Sequence, residues 1–340
     1  MRPDRNFVPY LGWFFGTTLL LLAVAVGLSI YFKPLSGDLT RIGKWAERDF
    51  GPTLFQEYPA IRANDSELTN QQILVLGDSF SHPNIWQSYL FTSSKFNTMT
   101  FEFKNVGCID NWLNWIEAKK GASNLQMVII EVAERNFVPV FRSDKRCVSS
   151  IPVASDTSEK KRLIDIKPGI TLDATFLLQT LGNAQRLRWQ EGRINSGDTI
   201  NVPLSNASLF SNRWSKRLLY YAEDDSKKSW TQIDISTAVE NLQKIQKRLK
   251  KIQLIFVLVP DKSTVYRPYM LDAPGYSEYP NLYLFFKASG VNLVDLRSLF
   301  EKNVVSTTDL YLPNDTHLSP SGYRMMASAI ADRLNLAVTK

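Results

Sequence analysis

The chain has 340 residues, enough for one large domain or two small ones. Its composition, 44% hydrophobic and 21% charged, excludes an intrinsically disordered protein. The formal net charge of +7 comes without a long basic run or a nucleic-acid motif, so we expect an anionic envelope or acidic polysaccharide as partner and no nucleic acid.

Residues 6–32 carry no charged side chain, and about 20 apolar residues suffice to cross a bilayer. A cleaved signal peptide is the alternative, with Ala23-Val24-Ala25 as its cleavage site, but the apolar run continues past that site to Phe32. We predict an uncleaved anchor over residues 1–33. Arginines ahead of the span favour a domain outside the cytoplasm, although four basic residues also follow the span.

Residues 34–70 are predicted to be a connector, because they mix turn residues with few core positions. Residues 71–340 are predicted to form an α/β domain in which buried strands alternate with helices around a central parallel sheet, in a three-layer flavodoxin-like arrangement. The predicted strands cover Ile73–Leu76, Phe101–Val106, Met127–Val132, Leu254–Val259 and Val291–Leu296.

Residues 150–236 do not follow this alternation, and we predict an insertion or lid between strands three and four. Tryptophans, tyrosines and basic residues are frequent there. Two interpretations stay open for these aromatic residues: a carbohydrate-stacking surface or a small satellite core.

The first predicted strand ends at Gly77-Asp78-Ser79, and a helical segment follows from about Asn84. Open α/β sheets bind ligands at the carboxyl ends of their strands, near helix N-termini that favour developing negative charge. Ser79 is therefore the candidate nucleophile. Its own amide and that of Gly107, after strand two, are candidate donors to a tetrahedral oxyanion.

A nucleophilic serine needs a base, and the chain contains two histidines. His317 lies in a loop before the C-terminal helix, and Asp315, two residues earlier, is placed to orient its imidazole. His82 is the competing base, but it shares the turn of Ser79 and has no acid at comparable spacing. We therefore predict a Ser79–His317–Asp315 triad, with His82 in the cleft.

With these residues the sequence resembles the SGNH/GDSL hydrolase superfamily. Gly77-Asp78-Ser79 is similar to its first block and Asp315-Thr316-His317 to its last. Most members place the acid three residues before the histidine; the two-residue spacing here resembles the alginate O-acetyltransferase branch. In the alginate enzymes, however, the Asp-x-His motif precedes the serine, so their substrate does not carry over.

The same resemblance implies several secondary site residues. Gly107 matches the glycine of the second block, and Glu134-Arg135 replaces the usual third-block asparagine with a pattern of the acetyltransferase branch. Arg135 and Asn136 are thus candidates for substrate binding, with a structural salt-bridge network as the alternative for Arg135. Lys262 and Tyr266 follow strand four in a pattern of the same branch, and are candidates for contacting polymer or are ordinary structural residues.

Cys108 and Cys147 are the two cysteines of the chain, and in an oxidising compartment we expect them to form a disulfide, two free thiols being the alternative. Two histidines and two distant cysteines do not build a usual zinc site, and we expect no cofactor.

Together these features predict an inner-membrane, single-pass O-acetyltransferase with a periplasmic domain that modifies a surface or wall polysaccharide. The resemblance implies that a membrane-bound O-acyltransferase delivers the acetyl donor. An esterase with the same triad and a non-catalytic assembly subunit are the alternatives.

Overall fold

A computed structural model of the chain describes residues 7–32, 35–62, 73–119, 125, 127–142, 152, 154, 173–249, 252–271 and 280–338. Its centre is a five-stranded, all-parallel sheet in the strand order β2-β1-β3-β7-β8. The strands are β1 (Ile73–Gly77), β2 (Thr98–Glu102), β3 (Met127–Ala133), β7 (Gln253–Val259) and β8 (Leu293–Val294).

Helices cover both faces of this sheet, as the alternation of strands and helices predicts. The helices around it are α4 (Ile85–Ser94), α5 (Phe103–Val106), α6 (Ile109–Lys119), α7 (Phe137–Phe141), α9 (Gln232–Leu249), α10 (Lys262–Tyr266), α11 (Leu282–Ser289), α12 (Leu296–Asn303) and α13 (Pro320–Val338). Short 3₁₀ helices cover Glu134–Asn136, Ala222–Ser229 and Arg267–Tyr269.

The strand side chains alternate between two cores, because successive residues of a strand point to opposite faces. Ile73 and Val75 pack into one core with α4 and α13. Leu74 and Leu76 pack into the other with α6, α9 and α11. Each such fully buried side chain contributes about 1.5–3 kcal/mol, and the sheet holds its strand ends rigidly along one edge.

The second strand differs from its prediction. The structure places it at Thr98–Glu102, and Phe103–Val106, predicted as strand, coils into α5. Lys104 explains the difference: its side chain is exposed, whereas a strand next to β1 is buried on both faces. Gly107 ends α5 with a φ of 72°, a conformation that favours glycine.

The predicted insertion contains a second, antiparallel sheet of order β4-β5-β6. Its elements are α8 (Ala174–Trp189), β4 (Ile194–Ser196), β5 (Thr199–Pro203) and β6 (Arg217–Tyr221). Asp173 caps α8 by accepting from the amides of Thr175 and Phe176.

The predicted connector is wrong for the described residues 35–62, which belong to the folded domain. Leu39, Trp45 and Phe50 are fully buried in one cluster with residues of α8, β4 and β6. The Trp45 indole also donates to the Thr199 hydroxyl at 2.7 Å. Leu39 lies in the short helix α2 (Asp38–Gly43), Phe50 lies in the short helix α3 (Glu47–Phe50), and Trp45 lies between the two helices. Both helices are too short for a periodic pattern.

The N-terminal helix α1 (Phe7–Phe32) is long and apolar enough to cross a membrane over Pro9–Phe32, and most of its side chains are exposed. Its length and composition fit a membrane anchor or a signal sequence. Its C-terminal part contacts the domain: Phe32 packs with Phe176 and Leu177 of α8.

Candidate active site

Ser79 lies exposed in the turn that follows β1, at the carboxyl edge of the parallel sheet. The Asp78 carboxylate fixes this turn: it accepts from the amides of Phe80 at 3.1 Å and Ala133 at 2.8 Å. The Asn136 side chain also donates to it, at 3.2 Å. The nucleophile turn is thereby fastened to the end of β3.

A fully buried carboxyl group, that of Glu131, supports the turn from below. It accepts from the Ser81 hydroxyl at 2.6 Å and from the Asp78 amide at 3.2 Å. Burial, and next the charge of Asp78, raise the pKa of Glu131 well above its ordinary value. Gly77 leaves the room for this contact, since a Cβ there would lie 2.7 Å from the Glu131 carboxylate.

His317 and Asp315 form a dyad on the loop before α13. The Nδ1 atom of His317 lies 2.6 Å from the Asp315 carboxylate, which also accepts from the His317 amide at 3.0 Å. Burial opposes charge on both groups, but their mutual attraction prevails: the pKa of His317 is raised and that of Asp315 is lowered. Asp315 therefore stays ionised and orients the imidazole.

Lys262 contacts this loop from a buried position. Its buried ammonium donates to the carbonyls of Leu312 at 2.7 Å, Pro313 at 3.0 Å and Asp315 at 3.1 Å. Burial lowers the pKa of Lys262 to about 7 against the charges of Asp38 and Asp315, which raise it. Satisfying three carbonyls at once fixes the loop on the end of β7.

Asp38 is a site residue that the sequence analysis missed. Its carboxylate accepts from the Thr316 amide at 2.8 Å and lies 3.6 Å from His317 Nδ1. Its own amide donates to Asp315 at 3.1 Å, across 277 residues of sequence. Burial, then the charge of Asp315, raise the pKa of Asp38 to about 6. The segment predicted as a connector thus supplies part of the site.

Ser79, His82, Asp315, His317 and Asp38 line one cavity of about 720 Å³. Its remaining walls combine apolar and polar side chains. The apolar ones are Pro52, Leu54, Phe55, Tyr58, Pro83, Ile85, Leu312, Leu318, Pro320 and Tyr323, and the polar ones include Ser36, Arg41, Thr53, Gln56, Glu57, Asp309 and Asn314. Among the described residues, none makes a hydrogen bond to the Ser79 hydroxyl. Such bonds are often long in a free enzyme and tighten with substrate. The shared cavity brings the predicted nucleophile and base together.

Residues 214–339 match the family model described as SGNH hydrolase-like domain, acetyltransferase AlgX. This part of the chain is similar to an SGNH hydrolase-like domain. The matched part contains β7, β8, Lys262 and the His317 loop, while Ser79 lies ahead of it. A search of the curated proteins and a search of the solved structures returned no match.

The two predicted oxyanion donors of the SGNH-like domain differ in position. The Ser79 amide donates to no acceptor among the described residues, and it belongs to a residue that lines the cavity. Gly107 instead lines a second cavity, of about 600 Å³, together with Asp110 and Arg248. Gly107 follows α5 and is not among the residues that line the Ser79 cavity, and its role as an oxyanion donor stays a prediction.

Arg135 does not line the Ser79 cavity either. It belongs to a set of charged side chains that we call the buried network: Glu134, Arg135, Asp224, Lys227 and Asp261. The Arg135 guanidinium lies 2.8 Å from Asp261 and 3.4 Å from Asp224. The structural alternative considered for Arg135 in the sequence is the one that the contacts support.

Of the other predicted binding residues, Tyr266 is fully buried, and its hydroxyl accepts from the Tyr311 amide at 3.3 Å, so it is a core residue. Asn136 lies beside the nucleophile turn through its bond to Asp78. His82 lines the cavity and pairs with Glu102, an acid that sequence spacing did not reveal. Glu102 also pairs with Lys104 at 2.7 Å.

Cys108 is disulfide-bonded. Its predicted partner Cys147, the other cysteine of the sequence, lies outside the described residues. Among the described residues, Asp38, Asp315 and His317 bring their side-chain oxygen and nitrogen atoms within 4.8 Å of one another. The hydrogen bonds above already account for this grouping, which we call the site cluster.

Proposed function

We propose that this chain is a membrane-anchored, extracytoplasmic O-acetyltransferase that transfers an acetyl group to a hydroxyl of a cell-surface or wall polysaccharide. The observation that carries the proposal is the shared cavity of Ser79 and the His317–Asp315 dyad in an SGNH hydrolase-like domain. The AlgX-type match supports an acetyltransferase or esterase class.

In the first half-reaction, the Ser79 oxygen attacks the acetyl carbonyl of a donor ester while His317 takes the serine proton. The oxyanion of the tetrahedral intermediate accepts from the Ser79 amide. His317 then gives its proton to the leaving alcohol, and the acetyl group remains as an ester on Ser79. Asp315 stabilises the imidazolium throughout, which agrees with the raised pKa of His317.

In the second half-reaction, a sugar hydroxyl attacks the acetyl-serine ester and gives its proton to His317. Breakdown of the intermediate returns that proton to Ser79 and releases the acetylated sugar. The acetyl donor is proposed to come from a membrane-bound O-acyltransferase partner, by family resemblance alone. A positive chain would favour an acidic polymer as acceptor.

An esterase is the second candidate, because apolar side chains such as Leu54, Phe55 and Ile85 line part of the cavity and can contact an apolar ester. The same residues then act with water as the acceptor. A non-catalytic assembly subunit, the third reading from the sequence, would not need Ser79.

The deciding experiment incubates the full chain in detergent with an acetyl ester and an oligosaccharide. Acetylated sugar and an acetyl group on the Ser79 peptide by mass spectrometry are expected, and Ser79→Ala should abolish both. Ser229→Ala, at an exposed serine outside the cavity, is the matched control. Acetate release without sugar product across several acceptors would replace the transferase by the esterase. Wild-type acetylation in cells that carry Ser79→Ala would overturn both enzymatic readings.

A further inference from the structure

One face of α8 is exposed and apolar, and the helix lies beside the end of the candidate membrane span. Phe176, Leu177 and Leu187 of this helix are buried. Leu178, 69% exposed, and Leu181, 37% exposed, lie three residues apart on the outer face, and Trp189 at the end of the helix is 81% exposed. These are the residues that any partner of the face would cover.

The N-terminal part of α8 packs against the end of α1. Phe32, Leu28 and Ala25 of α1 pack with Phe176 and Leu177, so the two helices are in direct contact. On α1, Ile30 and Tyr31 are exposed at the same end of the helix. A span that enters a bilayer therefore brings α8 close to its surface.

Basic side chains lie on or beside α8. Arg186 and Arg188 are exposed on the helix, and Lys44, at the end of α2, lies 5.9 Å from the Phe176 ring of α8. Arg48 of α3 lies 3.8 Å above the ring of Tyr31, which ties the end of the span to the domain. An apolar strip edged by arginines complements the headgroup and acyl boundary of an anionic bilayer.

We infer that α8 docks on the bilayer surface beside the span, with Leu178, Leu181 and Trp189 in the headgroup region. This inference uses the proposed membrane span and is independent of the proposed chemistry. It also gives a reason for the basic residues after the span, which count against the predicted orientation but would here bind anionic headgroups on the outer side.

Docking of α8 fixes the height of the active site above the membrane. The Asn183 side chain of α8 donates to the carbonyls of Gly43 at 2.8 Å and Lys44 at 3.0 Å, at the end of α2. The other end of α2 starts at Asp38, which contacts Asp315 and Thr316. Since six residues of chain reach at most about 22 Å, Asp38 lies within that distance of Phe32. The acceptor must therefore be reached close to the lipid surface, as a polymer is when it leaves a membrane-bound synthase or lipid carrier.

The test places an environment-sensitive fluorophore on single engineered cysteines of the full chain in anionic vesicles that contain nitroxide-labelled lipid. Leu178→Cys and Leu181→Cys labels should lose most of their fluorescence to a nitroxide near the headgroups and shift to the blue. Ile233→Cys is the matched control, because Ile233 is 76% exposed on α9, which packs against α7 and α11.

Leu21→Cys, on the exposed face of α1, separates failure of the span from failure of the docking. Quenching at Leu21 with labels at 178 and 181 no more quenched than at 233 overturns the inference. A blue shift at 178 without nitroxide quenching also overturns it, since a second copy and not lipid would then cover the face. Exchange of Arg186 and Arg188 for glutamate should reduce quenching at 178 in anionic vesicles. Ser79→Ala should leave all of these signals unchanged, so the result does not depend on the proposed reaction.

Discussion

Two groups of charged residues lie at the same edge of the SGNH-like sheet, and they differ in what they face. The site cluster lines the Ser79 cavity, and its histidine keeps one ring nitrogen free of the contact to Asp315. In the buried network, Lys227 is enclosed by Glu134 at 2.7 Å, Asp261 at 2.5 Å and Thr264 at 2.8 Å. No residue of that network lines the cavity.

The comparison shows that close charges alone do not mark an active site. In the buried network each cation pairs with buried acids. The network can therefore stabilise the fold, but its charged groups do not face the Ser79 cavity. The network has more acids than cations, and one acid responds to this: burial, then the charge of Asp261, raise the pKa of Asp224 to about 7. In the site cluster, the second ring nitrogen of His317 is not used in the contact to Asp315, and His317 lines a cavity.

The largest effect is expected when the two histidines that line the cavity, His82 and His317, are replaced one at a time. His317→Ala should lower kcat by about 10⁶-fold, because the base is lost and only binding and oxyanion contacts remain. His82→Ala should cost far less, since Glu102 already shares its charge with Lys104. Hydrolysis of an acetyl ester measures both. A larger loss for His82→Ala would transfer the role of base to the His82–Glu102 pair.

The buried network should respond in stability instead of rate. Lys227→Met removes the central cation and leaves buried carboxylates unpaired, which should cost about 3–5 kcal/mol of unfolding free energy. Lys228→Met is the matched control. Lys228 is exposed and pairs with Asp225 at 3.4 Å, an interaction of about 0–1 kcal/mol. Chemical denaturation of both variants gives the comparison. Equal stability of the two would show that the network is not structural.

Lys262 should affect both stability and rate, because it is buried and also holds the loop that carries His317. Lys262→Met leaves three carbonyls without their donor, at a cost of about 1–3 kcal/mol. We expect kcat to fall as well, since the loop of His317 loosens, with little change in KM. Lys244→Met, at an exposed lysine of α9, should change neither quantity. A rise in KM with unchanged kcat would return Lys262 to substrate binding.

Asp38 should show the smallest effect and a diagnostic pH dependence. Its charge raises the pKa of His317, which must be neutral to act as a base. Activity therefore rises with pH as His317 deprotonates, above the ordinary pKa of about 6.5. Asp38→Asn keeps an acceptor for the Thr316 amide but removes the charge, so this rise should move to lower pH, with less than about a tenfold loss of kcat, or about 1.4 kcal/mol. An unchanged pH profile would reduce Asp38 to a structural residue.

Sequence reasoning located the strands and the Ser79 and His317 loops because these signals are local. Four apolar residues in a row, followed by Gly77-Asp78-Ser79, specify a strand and its turn within one short window. The SGNH-like match to residues 214–339 agrees with the resemblance in the last block. The triad itself stays a prediction until a variant is measured.

What the sequence could not reveal depends on contacts between distant segments. Asp38 reaches its partners across most of the chain, and no periodicity surrounds it. The sequence around Arg135 is compatible with a side chain that faces a cavity and with one that pairs with buried acids. Its contacts with Asp224 and Asp261 distinguish the two, and the sequence does not reveal those contacts. The end of the second strand was wrong because the four residues before Gly107 form a helical turn instead of extending the strand.

The loop that carries His317 is completed by residues that follow directly on the hydrophobic helix. The amide of Leu39 donates to the Asn314 carbonyl, and the Asn314 side chain donates to Glu47. If this helix anchors the chain as proposed, its release by a protease would thus have two different results. A cut ahead of Ser36 would leave the His317 loop complete, whereas a cut at the exposed stretch around Phe55 would leave the residues that complete the loop held only by non-covalent contacts.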